Sequence, residues 1–274
     1  MKRIATIQDI SCFGKCSITV SLPVISAMGV ECAIVPTTVL STHTTGFTGY
    51  TVRDIADELL PIAEHWRREG ISLDALYTGY LANDEQIDIT KKFIELTKND
   101  STMIFVDPAM ADNGKLYPIF DMDYVEAMKG LCAKADYIVP NITEACFLTG
   151  MDYRTEYDKA YIDELIEKLQ ALGCKNIILT GVGYRPGKTG IVVLENGVQK
   201  YYEHDKLSNS CHGTGDIYAS AFVGALVRGK DALTAAKIAA DYTMSCIEET
   251  AKVDNHWYGA AFEPVLGKLI DLLK

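Results

Sequence analysis

Positive charge is scarce in this chain of 274 residues: 26 Lys and Arg stand against 37 Asp and Glu, a net charge of −11. A surface of that sign repels nucleic acid and anionic membranes, so any affinity for phosphate has to come from a local site. No run of about 18 apolar residues is present to span a bilayer. The N-terminus carries no secretory signal pattern. The eight cysteines (Cys12, Cys16, Cys32, Cys132, Cys146, Cys174, Cys211 and Cys246) are scattered, which predicts reduced thiols in a cytoplasmic protein. Cys12 and Cys16 lack a second Cys or His pair to complete a zinc set. The histidines (His43, His65, His204, His212 and His256) show no His-x-x-x-His spacing, and no Gly-x-Ser-x-Gly elbow exists for a hydrolytic serine. Linkers, charge blocks and fixed-period repeats are absent as well. One domain over residues 1–274 is expected.

What is present is an alternation of β-prone runs and helical patterns. Short apolar runs at Arg3–Ile7, Cys32–Leu40, Ala75–Thr78, Met103–Val106, Tyr137–Val139 and Asn176–Thr180 predict strands. Helices are predicted between them, among them Ser17–Met28 with Ser17 as N-cap, Arg53–Arg68, and a helix starting at Asn141. Asn196-Gly197 between Ile191–Leu194 and Gln199–Tyr202 predicts a hairpin. Three helices, Asp216–Arg228, Ala232–Glu249 and Phe262–Leu273, are expected to finish the chain. The pattern is that of an α/β fold with a mainly parallel sheet and helices on both faces.

Ligands in such sheets sit beyond the C-terminal ends of the strands. Six polar clusters fall there: Asp9–Ser17, Ser41–Thr48, Gly79-Tyr80, Asp107–Asp112, Asn141–Glu144 and Thr180–Lys188. The stretch Ser210-Cys211-His212-Gly213-Thr214-Gly215-Asp216 adds a glycine loop feeding a buried helix. Its free N–H groups and the helix dipole favour a phosphate. Asp216 beside them suits a proton acceptor for an attacking hydroxyl; an ordinary helix cap is the other reading open at this point. Gly181-Val182-Gly183-Tyr184-Arg185-Pro186-Gly187-Lys188-Thr189 imitates a phosphate loop. It has Val182 where the motif needs Gly, and a strand follows instead of a helix. Trp66 and Trp257 read as packing residues. His65 and His204 read as exposed.

Several of these motifs, in this order, resemble the vitamin B6 kinases of the ribokinase-like superfamily. Gly213-Thr214-Gly215-Asp216 is similar to that family's anion hole and catalytic base. Asp107-Pro108-Ala109-Met110 followed by Asp112 is similar to its Asp-Pro-Val-Met-x-Asp element, and Pro140-Asn141 with Glu144 to its Pro-Asn-x-x-Glu segment. Ser41-Thr42-His43-Thr44 resembles the Ser-Asn-His-Thr stretch against the pyridoxal ring, and Gly79-Tyr80 the Gly-Tyr beside it. The resemblance covers nearly the whole chain. It implies a ribokinase-like three-layer sandwich that phosphorylates the 5′-hydroxyl of pyridoxal, pyridoxamine or pyridoxine with ATP and Mg²⁺. It further suggests a homodimer, and it leaves a monovalent cation open.

Under that resemblance Gly213, Thr214 and Gly215 hold the γ-phosphate and Asp216 takes the proton. Asp107 and Glu144 serve magnesium. Asp9, Ser11, His43, Thr44 and Tyr80 line the ring pocket. Asn141, Thr180, Gly181, Val182 and Lys188 lie on the nucleotide side, with Lys115 and Tyr117 on a flap spanning Asp112–Tyr117. Two departures stand out. Asp9 occupies the place of the usual ring-contacting serine. Asp216 stands where the hydroxymethylpyrimidine kinases, which share His-Gly-Thr-Gly, typically have Cys. A hydroxymethylpyrimidine or other small-alcohol kinase of the same fold is the near rival reading, and a non-catalytic B6-binding protein the distant one.

Overall fold

Neighbouring residues on the strands point into different cores, and that sets the architecture. Ile4, Tyr77, Phe105 and Ile178 belong to one apolar cluster; Ala5, Leu76, Val106 and Leu179 belong to the other. Strands buried on both faces read as unbroken apolar runs, as parallel strands between two helical layers do. The computed structural model describes residues 1–207 and 211–274. Ser210, which opens the glycine stretch, lies outside the described residues.

The chain runs β1 (Arg3–Ser11), α1 (Ile18–Ala27), β2 (Glu31–Leu40), β3 (Val52–Asp54), a 3-10 turn, α2 (Leu59–Arg68), β4 (Ala75–Thr78), α3 (Asp84–Thr97) and β5 (Met103–Val106). A small hairpin of β6 (Ala111–Asp112) and β7 (Lys115–Leu116) follows. Then come α4 (Met122–Cys132), β8 (Tyr137–Ile138), α5 (Ile142–Thr149), α6 (Lys159–Ala171), β9 (Asn176–Thr180), β10 (Lys188–Glu195) and β11 (Val198–Asp205). Helices α7 (Thr214–Val227), α8 (Ala232–Thr250) and α9 (Leu266–Leu272) close it.

Nine strands form one sheet in the order β11-β10-β9-β8-β5-β4-β1-β2-β3. The six from β9 to β2 are parallel, and the antiparallel β3, β10 and β11 form its margins. Helices α1, α7, α8 and α9 cover one face, and α2 to α6 the other. The expected three-layer α/β fold is what the chain adopts. Among the described residues no helix is long and apolar enough to cross a membrane.

Two local expectations are corrected. Arg53 and Asp54 do not start a helix; they pair with Val39 and Thr38 of β2, and α2 starts only at Leu59. The open edge of β2 needs backbone partners, which outweighs the helical pattern. Asp54 then turns the chain, accepting the Ala56 N–H at 2.9 Å and Gln86 Nε2 at 3.0 Å. The Asp112–Tyr117 stretch is not a free flap. Asn113 and Gly114, with φ of 51° and 76°, make the tight turn of β6–β7. Thr143 Oγ1 accepts the Gly114 N–H at 3.1 Å, and Asn141 Nδ2 donates to the Ala111 carbonyl at 2.9 Å, seating the hairpin on α5. The Asn196-Gly197 hairpin forms as expected, and a strand does follow Lys188.

Candidate active site

Each parallel strand delivers its polar residues to one rim, where the start of α7 also arrives. That start has a left-handed glycine at its N-cap. Helices α3, α4, α5, α6 and α8 open on Asn83, Asp121, Asn141, Asp158 and Asp231, whose side chains accept a first-turn N–H. Helix α7 opens on Gly213, left-handed at φ 77°, with no side-chain cap. The first N–H groups of a helix have no partner within it. Among the described residues Gly213 gives them no side-chain cap, and the positive end of the helix dipole lies behind them. No other residue fits at position 213, because a Cβ there would lie 1.8 Å from the Lys15 carbonyl oxygen. Behind its first turn α7 is buried on every side from Ile217 to Val227, which anchors the loop.

Asp216 sits in this first turn. Burial pushes its carboxyl from its ordinary 3.8 up to about 7; the nearby Ser17 main-chain N–H acts in the opposite sense, and the charge of Asp9 adds to the rise. Asp107 follows β5 directly and is buried; burial, and then the charge of Asp216, raises its carboxyl well above the ordinary range. Glu144 is raised by burial and by the charge of Asp107. Its oxygens accept the N–H groups of Asn141 at 2.8 Å and Met110 at 3.3 Å, while Asn141 Oδ1 accepts the Glu144 N–H at 2.9 Å. This capping box ties the start of α5 to the loop after β5.

Asp9 lies where the β1–β2 register slips between Gln8 and Ile10. Such an irregularity re-aims a side chain. Burial raises the Asp9 carboxyl, while the hydroxyls of Ser17 and Ser11 hold it down, Ser11 Oγ donating at 3.0 Å. Among the described residues none of Asp9, Asp107, Glu144 and Asp216 has a Lys, Arg or His within the 4.0 Å of an ion pair. Four buried or half-buried acids without a counter-cation form a site that calls for a cation or hydrogen-bond donors from outside.

Comparison with known proteins identifies the family. Residues 6–261 match the model of the phosphomethylpyrimidine kinase family. The chain belongs to that family. The pyridoxal kinase of Lactobacillus plantarum superposes with a TM-score of 0.90 at 30% identity, covering 99% of this chain and 98% of that one. A candidate phosphomethylpyrimidine kinase of Bacteroides thetaiotaomicron, crystallised with pyridoxal, gives 0.91 at 33% identity over 98% and 95% of the two chains. The pyridoxine kinase of Bacillus subtilis is 27% identical over 69% of each chain. The ribokinase-like resemblance to the vitamin B6 kinases therefore holds.

In this kinase the remaining expected residues are unevenly placed. His43 is buried; its Nε2 lies 2.8 Å from the Tyr258 carbonyl, which makes Nε2 the donor, and among the described residues Nδ1 has no partner. Thr44 beside it is exposed. Tyr80 is half-buried and feels the charge of Asp9 after the effect of burial. Burial, then the charges of Glu144, Asp107, Asp112 and Asp216, pushes the Tyr117 phenol up, and its N–H bonds the Met110 carbonyl at 2.9 Å. Lys115 is exposed on β7. Thr180 ends β9 and Gly181 follows it beside Asn141, with which Thr180 forms a bridge. The structure does not bring two residues to the rim. Val182 is 0% exposed, its side chain part of the core and its N–H bonded to Gly190. Lys188 is ion-paired with Asp205 across the β10–β11 ladder.

Sequence reasoning missed the aromatic layer above this site. Phe47 packs tilted against Trp257 at 4.7 Å, Phe13 against Tyr258 at 4.8 Å, and Phe47 meets the His43 ring at 5.0 Å. The segment 256–261 ties in through Ala260 N–H to the His212 carbonyl and Lys15 N–H to the Tyr258 carbonyl. The available signal was Phe13 and Phe47 standing inside otherwise polar loops. Trp257 packs as expected, against Phe47 and Gly46 in the loop carrying His43, but at the surface, 52% exposed.

The donor set also bears on magnesium. Among the described residues no three Asp, Glu, His or Cys groups converge to hold a metal by themselves. Mg²⁺ ordinarily keeps several waters and takes one or two carboxylates plus substrate phosphates. Asp107, buried without a counter-cation, fits that sparse demand. Glu144, already accepting main-chain N–H groups, fits a contact through water.

Proposed function

We infer that residues 1–274 form one kinase domain that transfers the γ-phosphoryl group of ATP to the 5′-hydroxyl of a B6 vitamer. One observation carries the reading: an uncapped helix start, shaped by a glycine no other residue can replace, has Asp216 in its first turn with proton affinity raised to about 7.

The N–H groups at Gly213, Thr214 and Gly215 would hold the charge that develops on the transferring group, where fixed donors need no reorganisation. Asp216 would orient the alcohol and accept its proton. An alcohol near water's 15.7 remains about nine units above Asp216, so the proton moves late, as the O–P bond forms. Asp107, with Glu144 through water, would hold magnesium, which supplies charge neutralisation at the phosphates. Asn141, Thr180 and Gly181 border the phosphate side. Lys115 and Tyr117 cover it from the hairpin.

Asp9 and Ser11 offer acceptor and hydroxyl groups to a heteroaromatic ring, and Tyr80 and His43 flank them under the aromatic layer. The pyridoxal in the Bacteroides relative supports such a ring here. The family's own description favours a second reading, a pyrimidine alcohol, whose amino group would also donate to Asp9.

The test is direct. The protein is mixed with magnesium-ATP and pyridoxal, pyridoxamine, pyridoxine or hydroxymethylpyrimidine, and the phosphate monoester is measured by mass. B6 vitamers are expected to lead in kcat/KM by about tenfold or more. A lead for the pyrimidine gives the second reading, and no monoester from any alcohol contradicts a kinase.

A further inference from the structure

The loop that follows β9 carries an extra residue. The β9–β10 ladder pairs Thr180 with Ile191, and regular pairing would next set Gly181 opposite Gly190. Instead the Val182 N–H bonds the Gly190 carbonyl at 3.0 Å, so the chain bulges at Gly181. Gly181 lies at φ 78°, the left-handed conformation that glycine supplies to such a bulge. Bulges of this kind gather beside active sites, where they re-aim the chain.

The two legs of the bulge are fixed by backbone. The Thr180 N–H bonds the Pro140 carbonyl at 2.9 Å. A Cβ at Gly183 would lie 2.5 Å from the Lys188 carbonyl oxygen, so Gly183 packs directly on the start of β10. Half-buried Tyr157, from the segment before α6, reaches across both legs. Its hydroxyl accepts the Gly183 N–H at 3.0 Å and donates to the Gly181 carbonyl at 3.4 Å. The ring is itself held, stacked on Tyr161 at 5.7 Å, and the Tyr161 hydroxyl donates to the Asp152 carbonyl at 2.7 Å. On its other side the bulge is open, since a Cβ built at Gly181 meets nothing within 4 Å.

We propose that Tyr157 is a positioning residue for the nucleotide, its hydroxyl fixing the Gly181 bulge against which the phosphates of ATP are seated. This rests on the reading above that sets Gly181 with Asn141 and Thr180 on the phosphate side. Tyr157 acts through the main chain of residues 181 and 183. A backbone already fixed binds without reorganising, whereas a loose bulge has to be ordered at each binding event. Tyr201 supplies the control. Its hydroxyl donates to the Val182 carbonyl at 3.2 Å, but Val182 is already tied to Gly190 by its own N–H and buried in the core.

The experiment compares Tyr157→Phe and Tyr201→Phe with the wild type. It reads the Kd for magnesium-ATP by calorimetry without any alcohol, then KM for whichever alcohol the wild type phosphorylates. The kinase reading fails if no alcohol yields a monoester, whereas this proposal fails on ATP affinity, so the two are read separately. Tyr157→Phe keeps the ring and its stacking and loses only the hydroxyl. Its Kd for ATP is expected to rise about five- to tenfold, the loss of one bridging hydrogen-bond group. KM for the alcohol should stay within about twofold, and the melting temperature within about 2–4 °C of wild type. Tyr201→Phe should stay within about twofold of wild type in both constants. An unchanged Kd for ATP in Tyr157→Phe would overturn the proposal. So would an equal rise in Tyr201→Phe, or a parallel rise of KM for the alcohol, since either marks a general loosening of the fold.

Discussion

Helices α7 and α8 pack side by side on the same face of the sheet, yet they begin in opposite ways. Asp231 caps α8, accepting the Thr234 N–H at 3.1 Å and its hydroxyl at 2.6 Å. Gly213 leaves α7 uncapped. An Asp, Asn or Ser cap is worth about 1 kcal/mol, which α7 forgoes. What it keeps is a set of N–H donors that no side chain occupies, beside a carboxylate that burial has made more basic. The capped start serves stability; the bare one, on the proposed reading, receives an anion and a proton.

The sharpest way to break this contrast is to alter both starts. Gly213→Ala drives a Cβ into the Lys15 carbonyl and must shift the donors. We expect kcat to fall by about 10²–10³, as when an oxyanion donor is lost, with clear destabilisation in thermal melts. A Gly213→Ala protein of full activity would mean that the α7 donors are spectators.

The pH profile comes next in size. Asp216 must be ionised to accept a proton, so kcat/KM should fall about tenfold per unit below pH about 7, measured from pH 5 to 9. Its linkage to stability has the opposite slope. A carboxyl raised from 3.8 to about 7 favours the folded state fully below about pH 4, and that contribution is lost as pH rises to about 7. Wild type should therefore lose stability relative to Asp216→Asn across that window, and the difference should be flat above it. Asp231→Ala is the smallest effect: about 1 kcal/mol, or roughly 2–4 °C in melting temperature, with turnover unchanged. A large loss of activity there would erase the distinction between the two helices.

Much of this was legible in the residues. Apolar runs alternating with helical patterns gave the parallel sheet, and the polar ends of those runs gave the rim that gathers Asp9, Asp107, Asn141 and Asp216. Local chemistry marked Gly213, since two glycines around a threonine before a buried helix have few other uses. What escaped was what depends on contacts distant in sequence. The strand at Val52–Asp54 exists because β2 needed a partner. The aromatic layer joins Phe13, Phe47 and Trp257 across more than 200 positions. Val182 and Lys188 carried plausible residue types in the right loop, but one faces the core and the other its own hairpin. Ser17 looked like a helix cap, and only its backbone angles reveal otherwise.

The most direct test is single-turnover phosphoryl transfer by Asp216→Asn, with ATP affinity measured on the same protein. The account predicts a loss of about 10²–10⁴ in rate with the Kd for ATP changed by less than about twofold, since asparagine keeps the shape but cannot take the proton. Transfer at the wild-type rate would contradict it.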